Sequence, residues 1–200
     1  MYLWRSLTPE QREELLNYRI QQHRPWHSPP VLFDSGFFHL SAACYEHKAH
    51  IGFDLSRMSD FSQELQNVFN VARYELRAWC VLPNHYHLLV KTSNLRQLKK
   101  ELGLLHGRTS YNWNIAEQVT GRTVWYRCAD RAMRTERHYW ATVNYIHNNP
   151  VHHGYVLKWT DWPFSSASEF LSATGKEKAK EIWQAYPVLD YGAGWDDAEL

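Results

Sequence analysis

Two histidines one residue apart, His85 and His87, are the side chains in this sequence with the clearest chemical potential. They follow a turn at Pro83-Asn84, inside an apolar segment whose pattern predicts two short strands. Side chains alternate across a strand, so residues i and i+2 share one face, roughly 6–7 Å apart. Neutral imidazole is a common metal ligand. A bare His-x-His pair also occurs on ordinary half-exposed strands, so the metal interpretation needs support from elsewhere in the chain.

A second group of candidate reactive side chains lies near the end of a predicted helix. Tyr145 and Asn149 are four residues apart, which makes them neighbours on one helical face. A phenol can attack phosphorus, and an amide oxygen can bind a metal. Most helix tyrosines are packing residues, however, and Asn149-Pro150 is a helix stop signal, because proline disfavours α geometry at the residue before it. Asn148 or His147 are therefore alternatives to Asn149 as a ligand.

The composition indicates one large domain, or a smaller one with extensions, and no membrane anchor. The chain has 200 residues, of which 44% are hydrophobic, enough to bury a core of good size. It has no run of about 18 apolar residues, and its start lacks the charged-then-apolar pattern of a signal peptide. The three cysteines are widely spaced and match neither a zinc knuckle nor a disulfide framework. We therefore expect a cytoplasmic protein.

The charge distribution is more informative than the net charge of +1. Between Lys91 and Arg137 there are ten basic and four acidic residues, whereas the tail from Tyr186 carries four acidic residues and no basic ones. Such asymmetry is typical of a chain that binds a polyanion with one region, although a solvated helix face gives the same count. Aromatic and basic residues also alternate in VWYR at 124–127, which indicates either single-strand binding or an aromatic core.

Hydrophobic periodicity and capping signals divide the chain into alternating strands and helices. The predicted elements are a helix from Thr8 to about Gln22, a strand from Phe37 to Tyr45, a helix from Asp60 or Ser62 to about Arg73, strands Tyr74–Leu82 and His85–Lys91, a helix from Asn94 to about Gln118, a strand from Thr123 to Ala132, a helix Thr135–Asn148, and shorter helices Ser166–Ala173 and Lys176–Tyr186. A proline-rich linker separates the first helix from the first strand.

This order predicts an α+β fold, a ferredoxin-like βαββαβ sheet with an additional catalytic helix and N- and C-terminal helical extensions. Two helices should cover one face of the sheet. Tyr86, Leu88 and Val90 should face those helices, which turns His85 and His87 toward the other face. The helix that follows the fourth strand, with Tyr145, is then the natural cover for the two histidines.

With these motifs in place, the chain resembles the HUH single-tyrosine transposases, and among them the REP-associated tyrosine transposases. The middle residue of the His-x-His motif is Tyr86 rather than an aliphatic residue, and His152-His153 replaces an Arg-and-small pair. The resemblance covers about residues 37–168 and is carried by LPNHYH at 82–87, VWYR at 124–127, YIHNNPVHHGYV at 145–156 and WPFSS at 162–166.

The resemblance implies cleavage and rejoining of single-stranded DNA by Tyr145, through a 5′-phosphotyrosine intermediate. It implies a divalent metal, Mg²⁺ or Mn²⁺, on His85, His87 and Asn149. The nitrogen ligands favour Mn²⁺. The implied substrates are repeated extragenic palindromes (REP elements), which fold into DNA hairpins. No phosphate-binding glycine-rich loop is present, so we expect no nucleotide cofactor.

The domain organisation and the DNA contacts can also be predicted. Residues 1–35 are predicted to form the N-terminal helix and linker, 36–168 the nuclease domain, and 169–200 an extension with an acidic tail. We expect a nucleoid-associated monomer or homodimer. The predicted DNA contacts are Arg127, Arg131, Arg134, Lys99, Lys100 and Trp125.

Two other functions stay open from the sequence. A domesticated protein would bind DNA hairpins with little or no catalytic activity. A metal-dependent hydrolase would use water instead of tyrosine, but the two motifs contain no Asp or Glu to act as its base. If Tyr145 is not the nucleophile, Tyr139 and Tyr155 are the nearest alternatives along the chain.

Overall fold

The computed structural model describes residues 8, 10, 11, 13, 14, 17, 35–70, 74–189, 191 and 192. The chain divides into two compact units, residues 1–33 and 34–200. In the first unit the Thr8 hydroxyl accepts from the Gln11 backbone amide at 3.3 Å, and the Gln11 side chain accepts from the Thr8 amide at 2.9 Å. This reciprocal pair is a helix-starting capping box, as predicted for Thr8. The proline-rich linker and most of the first predicted helix lie outside the described residues.

Within the described part of the second unit, four strands form one antiparallel sheet in the order β2-β3-β1-β4. Helices connect β1 to β2 and β3 to β4, so the connectivity is βαββαβ and the predicted ferredoxin-like fold class is confirmed. The strands are β1 Gly36–Ala43, β2 Tyr74–Val81, β3 His85–Thr92 and β4 Ala129–Ala132, and the helices are α1 Leu55–Asn70, α2 Leu95–Ala116, α3 Glu136–His152, α4 Ala167–Thr174 and α5 Lys176–Ala185.

One face of the sheet packs against α1 and α2 and forms the main core. Strand alternation brings Phe38 and Leu40 of β1 to this face, together with Tyr86, Leu88 and Val90 of β3. All five side chains are buried, so the predicted orientation of β3 is confirmed. His85 and His87 consequently point to the opposite face.

Helix α3 covers that opposite face. Its Val143 and Ile146 pack against Leu89 of β3 and against Ala78 and Leu82, in a second and smaller core. Buried aliphatic contacts of this kind hold the helix at a fixed height above the two histidines, because tight packing leaves little room to slide. The predicted cover of the open face is therefore present. No described helix is both long and apolar enough to cross a membrane.

Three predicted boundaries are wrong, each for a local reason. Helix α1 begins at Leu55 rather than at Asp60 or Ser62, because the Asp54 carboxylate accepts from the Arg57 amide at 2.7 Å and starts the helix one turn earlier. Strand β4 is only four residues long. The segment before it reaches β1 through a single bridge, between Trp125 and Cys44, instead of continuous pairing.

The third correction concerns the end of α3, which does not stop before Pro150 but continues to His152. Proline lacks an N–H and costs most in a helix interior. Here it lies in the last turn, where the helix ends with the His153 amide donating to the Asn149 carbonyl at 3.0 Å. Asn149 therefore has helical geometry, and its side chain stays on the same helical face as Tyr145.

Candidate active site

The tight turn between β2 and β3 fixes the orientation of His85. In this turn the Asn84 side-chain amide donates from Nδ2 to the His47 carbonyl at 3.1 Å. Its Oδ1 must then accept from Nδ1 of His85, 2.7 Å away. In the neutral imidazole, a proton on Nδ1 leaves the lone pair on Nε2. Asn84 thus orients the His85 ring with its coordinating nitrogen toward the space beneath α3.

His85 and Asn149 face each other across that space. Nε2 of His85 lies 3.2 Å from Oδ1 of Asn149, and Asn149 is 1% exposed. An imidazole nitrogen and an amide oxygen are both atoms that bind divalent cations. Nδ2 of Asn149 is buried without a hydrogen-bond partner among the described residues. The imidazole nitrogen and the amide oxygen therefore fit a cation bound by His85 and Asn149.

His87 joins this site from the next position on the same strand face. Its Nε2 lies 3.5 Å from the Tyr145 hydroxyl, and its Nδ1 lies 3.2 Å from Nε2 of His39. When His87 donates its Nδ1 proton to His39, Nε2 keeps the lone pair that a metal would bind. Imidazole ligands are commonly oriented by such a second hydrogen bond. In the described residues no three His, Cys, Asp or Glu side chains cluster around a metal position. The candidate ligands are therefore the predicted two imidazoles and one amide oxygen.

His39 was missed in the sequence predictions. A signal for it exists, because Phe38 and Leu40 alternate with it along β1 and are apolar. If those two residues face the helices, His39 must face the side of His85 and His87. Only the pairing of β1 with β3, which the sequence does not specify, puts it next to His87.

Tyr145 points down from α3 onto the imidazoles. Its ring makes edge contacts with His87, at a centroid distance of 5.1 Å, and with His39, at 5.8 Å. The side chain is 5% exposed, and its hydroxyl is directed at His87 rather than into hydrocarbon. The structure thus brings together the four predicted residues His85, His87, Tyr145 and Asn149.

The alternative ligand and nucleophile candidates lie elsewhere. His147 faces away from the sheet, where its Nε2 is 2.9 Å from the Ser166 hydroxyl and burial lowers its pKa to about 3. Asn148 lines a cavity of about 420 Å³ on that same far side of α3. Tyr139 packs against Phe37 and Trp140, and Tyr155 stacks on Trp162.

A short C-terminal segment, Tyr191-Gly192, covers the Tyr145 ring. The Tyr191 hydroxyl lies 2.6 Å from the Thr142 hydroxyl and 3.3 Å from Nε2 of His138, and its ring contacts Tyr145 at 5.5 Å. Gly192 has φ +85° and lies so close that a Cβ atom there would be 2.7 Å from Cζ of Tyr145. The segment therefore closes one side of the Tyr145 ring.

We predict that Gly192→Ala displaces the covering segment, because the new methyl group overlaps the Tyr145 ring and the left-handed backbone costs about 1–2 kcal/mol. Nitration of Tyr145 by tetranitromethane, followed by peptide mass spectrometry, should then be about 5- to 30-fold faster. Gly121→Ala is the matched control, since Gly121 also has positive φ but nothing within 4 Å of a Cβ. Equal nitration of Tyr145 in both variants would contradict the covering role.

Comparison with known proteins finds two similar transposases. The REP-associated tyrosine transposase of Escherichia coli (strain K12) is 31% identical over 102 residues, 46% of this chain. That alignment spans about half of the relative's length, 54%. The Putative REP-associated tyrosine transposase of Haemophilus influenzae is 28% identical over 155 residues, which are 67% of this chain and 82% of the relative. The chain is similar in sequence to these two REP-associated tyrosine transposases. No protein-family model matches it.

A solved structure supports the fold of this chain. The structure described as the REP-associated tyrosine transposase bound to a REP hairpin superposes with a TM-score of 0.56 at 20% identity, over 74% of this chain and 86% of that one. At this identity the likeness establishes the fold, a four-stranded antiparallel sheet with helices.

The predicted DNA contacts of this transposase homologue separate into two groups. Arg127, Arg131 and Arg134 are exposed on the β4 side of the sheet, and Arg131 is the register partner of His39. Arg131 and Arg134, together with burial, lower the pKa of the nearby His138. These arginines therefore border the site. The lysines do not: they belong to α2, on the other face of the sheet, where Lys99 pairs with Asp130.

Trp125 is placed in the core rather than at the surface. Its ring stacks on His106 at 4.3 Å and on Phe61 at 5.2 Å, and its Nε1 donates to the Thr109 hydroxyl at 3.1 Å. The Trp125 side chain is partly buried, and these contacts direct its ring and its polar atom toward the core. The exposed ring of this segment is the next residue, Tyr126.

Proposed function

We propose that this protein cleaves and rejoins single-stranded DNA at repeated extragenic palindromes, with Tyr145 as nucleophile. The observation that carries the proposal is the arrangement around His87: its Nε2 lies 3.5 Å from the Tyr145 hydroxyl, beside the facing pair of His85 and Asn149. A nucleophile and candidate metal ligands that can all contact the same phosphate group suit phosphoryl transfer.

In the proposed step, the phenolic oxygen of Tyr145 forms a bond to phosphorus while the bond from phosphorus to the 3′ oxygen breaks. The phenol loses its proton and the departing 3′ oxygen gains one, which leaves a 5′-phosphotyrosine and a free 3′-hydroxyl. The reverse reaction rejoins the strand without ATP, because the covalent link conserves the bond energy. A phenol has a pKa near 10, so it needs an environment that favours its anion.

The residues around Tyr145 fix its geometry and offer candidate ligands for a metal. Mg²⁺ or Mn²⁺, when bound by His85, His87 and Asn149, would polarise the scissile phosphate and offset the charge that builds on it. Asn84 and His39 hold the two imidazoles in the required orientation from behind. The rigid position of α3 on the sheet keeps the phenol aimed at the same point.

The proposed partner is a DNA hairpin with an adjoining single strand. A protein described as a REP-associated tyrosine transposase has been solved bound to a REP hairpin. In this chain, the exposed Arg127, Arg131 and Arg134 beside the site have the charge to hold phosphates. If these arginines hold phosphates, the affinity for DNA should fall steeply as the salt concentration rises.

The direct test is to incubate the protein with a panel of genomic palindromes as single-stranded oligonucleotides, with Mn²⁺, Mg²⁺ or EDTA. We expect a denaturant-resistant protein–DNA adduct with at least one palindrome, formed only with divalent metal. Cleaved DNA that carries a free 5′-phosphate and no protein would contradict the proposal, because it would indicate water as nucleophile.

A hairpin-binding protein without cleavage is the second candidate. The cover over Tyr145 by Tyr191-Gly192 favours it, because the nucleophile is closed off in the observed conformation. Tight hairpin binding with no adduct under any metal, also in Gly192→Ala, would establish this candidate instead.

A further inference from the structure

Two exposed tyrosines, Tyr45 and Tyr126, lie side by side at the end of β1 nearest His85. Their ring centroids are 4.9 Å apart, and the two residues are 38% and 43% exposed. The Tyr126 amide donates to the Ala43 carbonyl at 2.9 Å, and Ala43 is the register partner of His85. The backbone of Tyr126 is therefore separated from His85, a candidate metal ligand, by one strand. We name this pair the tyrosine platform.

The tyrosine platform faces the same side of the sheet as the active site. The residues before each ring, Cys44 and Trp125, form a bridge and pack into the core on the side of α1 and α2. Neighbouring side chains in extended backbone point in opposite directions, so the Tyr126 ring projects the other way. Tyr45 begins a short 3-10 helix, and its ring lies against that of Tyr126. From strand spacings of about 4.8 Å and rises of about 3.3 Å, we place the platform roughly 10 Å from His85.

The loop that carries Tyr45 has a strained conformation, and the Asn84 side chain of the candidate active site holds it there. Glu46 and His47 both have left-handed backbone, with φ of 54° and 49°, a conformation that is strained for residues other than glycine. The Asn84 side chain donates to the His47 carbonyl and accepts from His85. One side chain thus connects the loop of the platform to a proposed metal ligand.

The charge around the platform suits a nucleic acid strand. Arg127 follows Tyr126 directly, is exposed, and forms no ion pair with any described residue. The one nearby carboxylate on the loop, Glu46, is paired with Lys48 at 2.7 Å. Aromatic faces for bases beside a cation for phosphate are the combination with which proteins bind single strands.

We propose that Tyr45 and Tyr126 form a stacking site for an unpaired base of the DNA strand next to the scissile phosphate, with Arg127 holding a phosphate beside it. This inference rests on the proposed function, since it assigns a position to the strand that the active site cleaves. It gives Tyr126 the role that the sequence analysis assigned to Trp125.

The test uses binding alone, in a Tyr145→Phe background that cannot form the proposed adduct. The probes are the same single-stranded palindromic oligonucleotides with 2-aminopurine at one unpaired position at a time. Fluorescence anisotropy gives affinity, and quenching of 2-aminopurine reports the stacked position. The variants are Tyr126→Leu and Tyr45→Leu, with Tyr126→Phe as the control that keeps the ring and loses only the hydroxyl.

We expect each leucine variant to bind about 5- to 100-fold more weakly, with loss of quenching at one or two positions, and Tyr126→Phe to match the parent. Unfolding midpoints identify any variant that has lost its fold, and the second leucine variant then provides the test. Unchanged affinity in the leucine variants, or equal loss in Tyr126→Phe, would overturn the stacking site. Absence of an adduct in the wild type would overturn the proposed function while leaving this binding result intact.

Discussion

Replacement of Tyr145 by phenylalanine is expected to abolish the covalent protein–DNA adduct. Phenylalanine lacks the oxygen that forms the bond to phosphorus, and loss of a catalytic nucleophile reduces turnover by on the order of 10⁴-fold or more. The ring contacts with His87 and His39 are retained, so the fold and the affinity for DNA should change little. Denaturing gel electrophoresis of labelled oligonucleotide measures the adduct, and anisotropy measures binding.

Tyr139→Phe is the matched control for this experiment. Tyr139 lies on the same helix, but its ring packs against Phe37 and Trp140 and not over the histidines. We expect its adduct yield to equal that of the wild type. An adduct that persists in Tyr145→Phe but disappears in Tyr139→Phe or Tyr155→Phe would move the nucleophile to that residue.

Removal of a metal ligand has the second large expected effect. His87→Ala should weaken Mn²⁺ binding by more than roughly 100-fold, since even residues that only orient a ligand are worth 10- to 100-fold. The same holds for His85→Ala, whose Nε2 faces Asn149. Electron paramagnetic resonance of free Mn²⁺ measures the binding directly, without any assay of activity.

An exposed histidine provides the control for the metal experiment. His152 lies at the end of α3, one residue beyond the turn that contains Asn149 and Pro150, and is exposed. His152→Ala should leave Mn²⁺ affinity unchanged. Mn²⁺ binding that is as strong in His85→Ala and His87→Ala as in His152→Ala would show that the two strand histidines do not hold the ion.

The fold followed from periodicity and from the order of the elements. Alternation along β3 separates Tyr86, Leu88 and Val90, which face α1 and α2, from the two histidines, which face α3. The order of strands and helices then leaves few topologies. Boundaries were less certain, because a single side chain such as Asp54 or a late Pro150 decides where a helix begins or ends.

The candidate site could be predicted only in part from the sequence. The four predicted residues belong to two short motifs. The spacing of His85 and His87 places both on one face of a strand, and that of Tyr145 and Asn149 places both on one face of a helix. His39 and Asn84 act through contacts between elements distant in sequence, and Gly192 matters only because it touches Tyr145. Trp125 and Tyr126 are neighbours of similar chemistry. Which of them is buried depends on the direction of one bridge to Cys44, and that direction is not encoded in composition.

The most direct test of the central claim is peptide mapping of the protein after reaction with a cleavable palindrome and Mn²⁺. The DNA should be attached through a 5′-phosphate to the phenolic oxygen of Tyr145, and the released fragment should end in a 3′-hydroxyl. DNA linked to any other residue, or DNA cleaved with no protein attached, would contradict an active site built from Tyr145 above His85 and His87.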